Sequence, residues 1–348
     1  MRLAVALVVA AVLGIGAESG TARSVSANDD AHTSARTPNV STSPLPAAGR
    51  RIPGARALRA CAAAGPYWPT MTLALSGTAA WVACKEQSRL VRIGLARGRR
   101  TAAVRLGGPV IAVAVGFGSV WALDSSSTLY RLSARTARVT RRVQVGALTA
   151  YNVWIGGGSV WVADDRGARV LRVSPRTHRV VARIAVGNGP ADMVFARGRA
   201  WVMNHRDNSL FRIDLASNRA TRLATVGDAD GAAERLAILG GSLWVTGRGL
   251  PLLQVDPDTG TTDRSIEIDA TGIDVVAAAG ALWIPVRSAA VDPSGFPTMT
   301  AVRRVTTAGT VTTAATAQGR VDVHGLAAGG GRVWLADNTD GFLYRIPT

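Results

Sequence analysis

Lysine is almost absent: Lys85 is the single example among 40 basic residues, which outnumber the 23 acidic ones and give a formal net charge of +17. Arginine therefore carries the excess. It is spread along the chain with no basic run interleaved with aromatics, the arrangement that tracks a nucleic-acid strand. GC-rich coding accounts for such a bias, and nucleic acid is not an expected partner. Cysteine is scarce too, with two residues in 348, which excludes a small disulfide-stapled fold. Neither cysteine stands at zinc-ligand spacing from a histidine. Beyond the N-terminus no apolar run is long enough for a membrane helix. No Gly-x-Ser-x-Gly elbow, His-Glu-x-x-His pair or phosphate loop occurs. Charged residues make up only 18% against 47% hydrophobic, so the chain as a whole is not disordered. Proline (15) is much rarer than glycine (38), and strand formers come in short runs, a pattern of tight turns and few long helices.

What is present begins with an export signal. Met1 and Arg2 precede the apolar run 3–13 and then small residues, so 1–27 is expected to be a signal peptide cleaved after Ala17 or Ala27. Residues 28–54 hold Ser, Thr and Pro with neither hydrophobic period and read as a disordered tether, leaving 55–348 as the folded domain. The mature protein is expected to be secreted and monomeric, with no transmembrane segment. In an oxidising compartment the even pair Cys61 and Cys84 is expected to form one disulfide.

The strongest signal is repetition. Trp81, Trp121, Trp161, Trp201, Trp244, Trp283 and Trp334 are separated by 40, 40, 40, 43, 39 and 51 residues, and only Trp68 and Trp154 fall outside the series. A phrase returns around them: Gly157-Gly-Ser-Val-Trp161-Val-Ala-Asp164, Gly240-Gly-Ser-Leu-Trp244, Gly330-Gly-Arg-Val-Trp334-Leu-Ala-Asp337. The third unit divides into extended runs at 150–155, 159–163, 170–173 and 179–186, separated by turn residues. Four strands in about 40 residues, repeated seven times, predict an all-β chain: a seven-bladed β-propeller of four-stranded antiparallel blades. The last unit ends one strand short, and 58–64 stands in the register of an outer strand, so an N-terminal strand is expected to close the ring. The excess between Trp283 and Trp334 falls at 287–300, where an insert at 291–297 is expected to project from the same face as His324.

Arginine is periodic as well: Arg92, Arg131, Arg172, Arg212, Arg304 and Arg345 sit in the third strand of their units, with Gln254 in the fifth. Their expected role is pairing between blades. The tryptophan phrase, the third-strand arginine and the turn Val255-Asp256-Pro257-Asp258-Thr259-Gly260 resemble the YncE/YVTN-type seven-bladed propeller proteins of bacteria, over about 58–348. Related propellers include the virginiamycin B (streptogramin) lyases. That resemblance implies the fold firmly, and function only as a choice between a binding scaffold and an enzyme.

Propeller sites gather where inner strands begin and second strands end. Aligned on tryptophan, those positions supply Tyr151, Asn152, Asp192, Asn204, His205, Glu234, Arg235, Asp274 and Arg287, expected to bind a protein, glycan or small-molecule ligand. Resemblance to the streptogramin lyases offers the alternative, a C–O lyase with magnesium. There Asp322-Val-His324 followed by Asp337 stands where the lyases carry Glu-x-His and a later Glu, so His324, Asp322 and Asp337 would be catalytic. Both carboxylates are a methylene shorter than in that pattern, which favours binding over catalysis. No cofactor is expected beyond a divalent cation, magnesium or calcium, for which Asp337, Asp124 and Asp164 are the candidate ligands.

Overall fold

The computed structural model describes residues 52, 56–61, 71–227, 231–268, 271–291, 297–318, 321–339 and 341–348. The expected signal peptide lies outside them, as does the tether except Ile52. Ile52 is buried among Trp283, Val302, Tyr344 and Ile346.

The described secondary structure is all β, in seven sheets. Blades 1 to 6 span 71–105, 110–144, 150–185, 190–225, 232–266 and 271–316, each running outward in chain order from inner to outer strand. Blade 7 takes its three inner strands from 323–347 and its outer strand from Arg56–Arg59. Each inner strand packs on the next blade's, and blade 7 packs on blade 1, so the ring is closed. In blade 3 the strands are Ala150–Gly156, Ser159–Asp164, Arg169–Val173 and Val180–Ala185, within a residue or so of the runs read from the sequence.

The closing strand departs from expectation. Pairing with Phe342–Pro347 begins at Arg56, two residues before the expected 58, and stops at Arg59, with Arg56 opposite Arg345 and Arg59 opposite Phe342; 62–64 of the expected strand lie outside the described residues. The strand stops because the next residues are claimed elsewhere. The N–H groups of Ala60 and Cys61 both donate to the Gly341 carbonyl, at 2.8 and 3.1 Å, and Cys61 is disulfide-bonded to Cys84 of blade 1. Blade 6 departs too: its inner strand is broken into Thr271–Gly272 and Val276–Ala278, both pairing with Ala281–Val291. Its second and third strands lengthen into an extended hairpin in which Val291 pairs with Pro297. Residues 292–296, most of the expected insert, lie outside the described residues.

The tryptophan period is explained by packing. Seven hydrophobic clusters occupy the seven blade interfaces, each holding one periodic tryptophan from the blade before, such as Trp161 against Met193 and Val202 of blade 4. All seven indoles are at most 4% exposed. A buried indole withdraws roughly 150–250 Å² from water, the largest contribution one side chain makes. Its N–H needs an acceptor, which the preceding turn supplies: Trp121, Trp161, Trp244 and Trp283 each donate to the carbonyl five residues earlier, at 3.0–3.3 Å.

The periodic arginines stand directly across the strand pair from the tryptophans. Arg92, Arg131, Arg172 and Arg345 lay their guanidinium groups 5.2–5.8 Å from the indole centroids. Arg172 also donates Nε to Ser159 within its blade and Nη1 to Leu215 O and Asn218 Oδ1 in the third-to-fourth-strand turn of blade 4. Arg131 repeats this with Ser119 and His178, and Arg212 reaches Asp258. In blade 5, Gln254 keeps the contact with Ser242.

Candidate functional site

The site is built by an irregularity repeated in the inner strands. In blades 2, 3, 4, 5 and 7 the pairing of first and second strands slips near the start of the first, between Ala150 and Val153 or between Pro190 and Asp192, for instance. Such bulges re-aim a side chain out of the regular alternation. The residue left unpaired is the one ten before the tryptophan, Ile111, Tyr151, Ala191, Glu234 and His324, with Asn152 also unpaired in blade 3. The next position, nine before each tryptophan, is occupied from blade 1 to blade 7 by Thr72, Ala112, Asn152, Asp192, Arg235, Asp274 and Gly325. Polar and charged groups thus collect on blades 3 to 6, and small residues on blades 7, 1 and 2. Asn152, Asp192 and Asp274 use one carboxyl or amide oxygen alike, accepting the next residue's N–H at 2.8 Å.

Asp192 is the hub. Its Oδ1 also accepts the Trp154 indole N–H at 3.0 Å, and its Oδ2 accepts the Leu236 N–H at 2.8 Å, so one carboxylate ties blades 3, 4 and 5 together. Burial pushes its pKa above the ordinary carboxylate value, against the pull of Arg235 and of these donors. Arg235 lies beside it with its Nε 3.7 Å from Asp274 Oδ1, and its Nη1 donates to the Glu234 carbonyl at 3.2 Å. Burial alone would lower the Arg235 pKa; Asp274, Tyr151, Asp192 and Glu234 together raise it, so the guanidinium stays charged. Glu234 accepts from Arg248 Nε at 2.7 Å.

Above this network sits a flat aromatic pair. Tyr151 is 41% exposed and stacks on His205, with ring centroids 5.9 Å apart and planes 23° from parallel. His205 Nδ1 donates to the Gly189 carbonyl at 2.8 Å, which fixes the ring and leaves Nε2 as the nitrogen able to accept a proton or hydrogen bond. The neighbouring Arg206 donates to Asp165 at 2.5 Å, joining the second-to-third-strand loops of blades 3 and 4. An accessible aromatic face beside fixed charges of both signs suits a ligand with a flat apolar side and several hydrogen-bonding groups.

Tyr151, Asp192, His205, Glu234, Arg235 and Asp274 therefore come together. Arg287 is half-buried across from Thr271 and Met299 on blade 6. Asn204 is fully buried and turned inward, its Nδ2 donating to Ser209 O and Oγ. The tryptophan-plus-three aspartates behave alike in their own loops. Asp124 accepts from Ser126 N, Thr128 N and the Tyr130 hydroxyl; Asp164 accepts from Leu148 N, Thr149 N, Gly167 N and Arg169; Asp337 Oδ1 accepts from Asp322 N and Thr339 N. These three carboxylates belong to blades 2, 3 and 7. Among the described residues no three His, Cys, Asp or Glu side chains group to hold a metal ion. His324 is the second residue of the inner strand of blade 7, at its bulge, and its side chain lies outside the described residues. Four participants escape the sequence reading: Trp154, outside the tryptophan period, Arg248 and Asp165, one position past the aligned second-strand ends, and Arg206, two past.

No protein-family model matches the chain, and no curated protein matches it either. Solved structures do. Virginiamycin B lyase from Staphylococcus aureus superposes with a TM-score of 0.67 at 14% identity, covering 84% of this chain and 99% of the lyase. U3-55K gives 0.66 at 10% identity over 84% and 98% of the two chains. BamB from Moraxella catarrhalis gives 0.56 at 13% identity over 80% and 83%. At such identities the likeness is one of fold: this chain is a seven-bladed β-propeller similar in architecture to a lyase and to BamB.

Proposed function

We propose that the protein is a binding propeller, working as a secreted monomer, that takes a protein, glycan or small ligand at the channel mouth over blades 3 to 5. The carrying observation is the exposed Tyr151 on its His205 support, set beside a charged Arg235 that Asp192, Asp274 and Glu234 hold in place. A preorganised arrangement of this kind costs little ordering on binding. The Cys61–Cys84 bond supports an oxidising location. The test is a thermal-shift screen of the mature protein across peptides, glycans and divalent ions. A true ligand raises the melting temperature of wild type and not of Tyr151→Ala.

The alternative, a streptogramin-type lyase, draws on the superposition with virginiamycin B lyase. Against it, the fully buried Asp337 has its Oδ1 turned onto two backbone N–H groups. Incubation with a cyclic streptogramin and magnesium, followed by mass spectrometry, is expected to show no ring opening. Opening that His324→Ala abolishes would establish the lyase.

A further inference from the structure

The positive charge is evenly spread in sequence but not in space. Residues 71–186, which form blades 1 to 3, carry 18 Lys/Arg and 4 Asp/Glu, whereas 187–348 carry 15 and 16. Three of those four acids, Asp124, Asp164 and Asp165, are buried. Nearly all the excess thus belongs to one arc of the ring, and much of it lies on outer strands and on the face opposite the channel mouth.

The charge has a focus. In blade 1 a cavity of about 580 Å³ opens beside the turn between third and fourth strands, lined by Arg97, Arg99 and Arg100 with Thr78 and Thr101, and by no acidic residue. The turn is fixed. Gly98 has φ +61°, and a Cβ there would lie 2.5 Å from Leu58 Cδ2 of the closing strand, so glycine lets the turn pass close to that strand. Beyond the cavity, Arg105, Arg141 and Arg183 are exposed on the outer strands of blades 1, 2 and 3. The Arg183 guanidinium lies 3.8 Å from where a Cβ on Gly146 of blade 2 would be, so it reaches the edge of the neighbouring blade. Among the described residues none of these six arginines forms an ion pair.

We infer that this arc is a second binding surface, for an acidic polysaccharide, with the blade 1 cavity taking one of its charged sugars. Arginine forks match carboxylate and sulfate oxygens in pairs. Between the arginines the outer strands expose small apolar side chains, Ala103, Ala185 and the 56% exposed Val181. Sugar rings offer C–H faces to such residues. A bare polyphosphate offers only charge, and a nucleic acid needs aromatic platforms for its bases, of which these strands expose none.

Fluorescently labelled heparin, a sulfated polysaccharide, is the probe, titrated into the mature protein at several salt concentrations with neutral dextran, polyphosphate and single-stranded DNA alongside. Heparin is expected to bind with an affinity that falls steeply as salt rises, dextran not to bind, and the other two polyanions to bind more weakly. Arg97→Ser/Arg99→Ser/Arg100→Ser should weaken heparin by about tenfold or more and flatten the salt dependence. Removing three exposed arginines of blade 4 (Arg197→Ser/Arg219→Ser/Arg222→Ser) should change it by about twofold at most. Tyr151→Ala, at the mouth, should bind heparin as wild type does. Melting temperatures within experimental error of wild type establish that the variants are folded. Equal losses in the two triple variants, no heparin binding by wild type, or tighter binding of DNA or polyphosphate would each overturn the inference.

Discussion

Arg131 of blade 2 donates Nη1 to Nε2 of His178, 3.0 Å away in the third-to-fourth-strand turn of blade 3, while the same imidazole lies 6.3 Å from the Trp121 ring. One guanidinium therefore joins two blades across the interface that its own tryptophan fills. Burial, then Arg131 and Arg141, lowers the His178 pKa below its ordinary 6.5. The fold prefers the neutral ring. His178 consequently contributes stability that is complete above the unfolded pKa and is lost as pH falls through 6.5 toward the depressed folded value. Thermal melts between pH 7.5 and about 5 should show wild type weakening. His178→Asn, which tolerates the turn's φ of +60°, should show a flatter profile. Parallel profiles would remove histidine from the joint.

Trp161→Ala should destabilise by about 3–5 kcal/mol in urea unfolding, since the indole is fully buried between blades 3 and 4 and also receives Arg172. Trp154→Phe tests a different role. Its half-buried indole N–H serves Asp192, and losing it should cost about 1 kcal/mol while leaving blade packing intact.

The fold was legible because a propeller repeats its packing rule. The wedge at every interface is large, a tryptophan, and its partner across the strand pair is arginine in every blade but the fifth. Strand ends in blade 3 followed from the same repetition. The closing strand was misread by two residues because the pull on its far end comes from Cys84 and Gly341, which are distant in sequence. At the site, the inner-strand positions were legible as breaks in the repeat: Tyr151, Asp192 and Glu234 stand where other blades carry different residues. The bulges that turn them were not, since pairing slips leave no composition mark. Nor was the contribution of Trp154, which looked like a stray. The basic arc was hidden because linear spacing of arginines says little about which acids lie near them in a ring.

Arg235→Ala should cost about 3 kcal/mol, because it leaves the carboxylates of Asp192 and Asp274 facing each other's charge in a half-buried place. The sign of the pH effect follows. Without Arg235 the Asp192 pKa rises further, so the penalty should be largest near neutral pH and shrink on acidification as the carboxyl takes up a proton. Urea midpoints at pH 7 and pH 5 check this, and a penalty that grows in acid would contradict it.

Breaking the Cys61–Cys84 bond frees the closing strand from blade 1. With the partners 23 positions apart in sequence, reduction or Cys61→Ser should lower stability by about 3 kcal/mol. Unfolding in urea with and without reductant measures it, and an unchanged midpoint would show that strand pairing with 342–347 suffices.

The central claim, that ligand binds over blades 3 to 5 at the channel mouth, is tested most directly by a crystallographic fragment screen of the mature protein. The account predicts that bound fragments gather against Tyr151 and His205 with polar atoms on Arg248, Glu234 or Arg235, and that Tyr151→Ala crystals lose them. Fragments that cluster instead beside His324 and Asp322, leaving the Tyr151 face bare, would contradict it and move the site to blade 7.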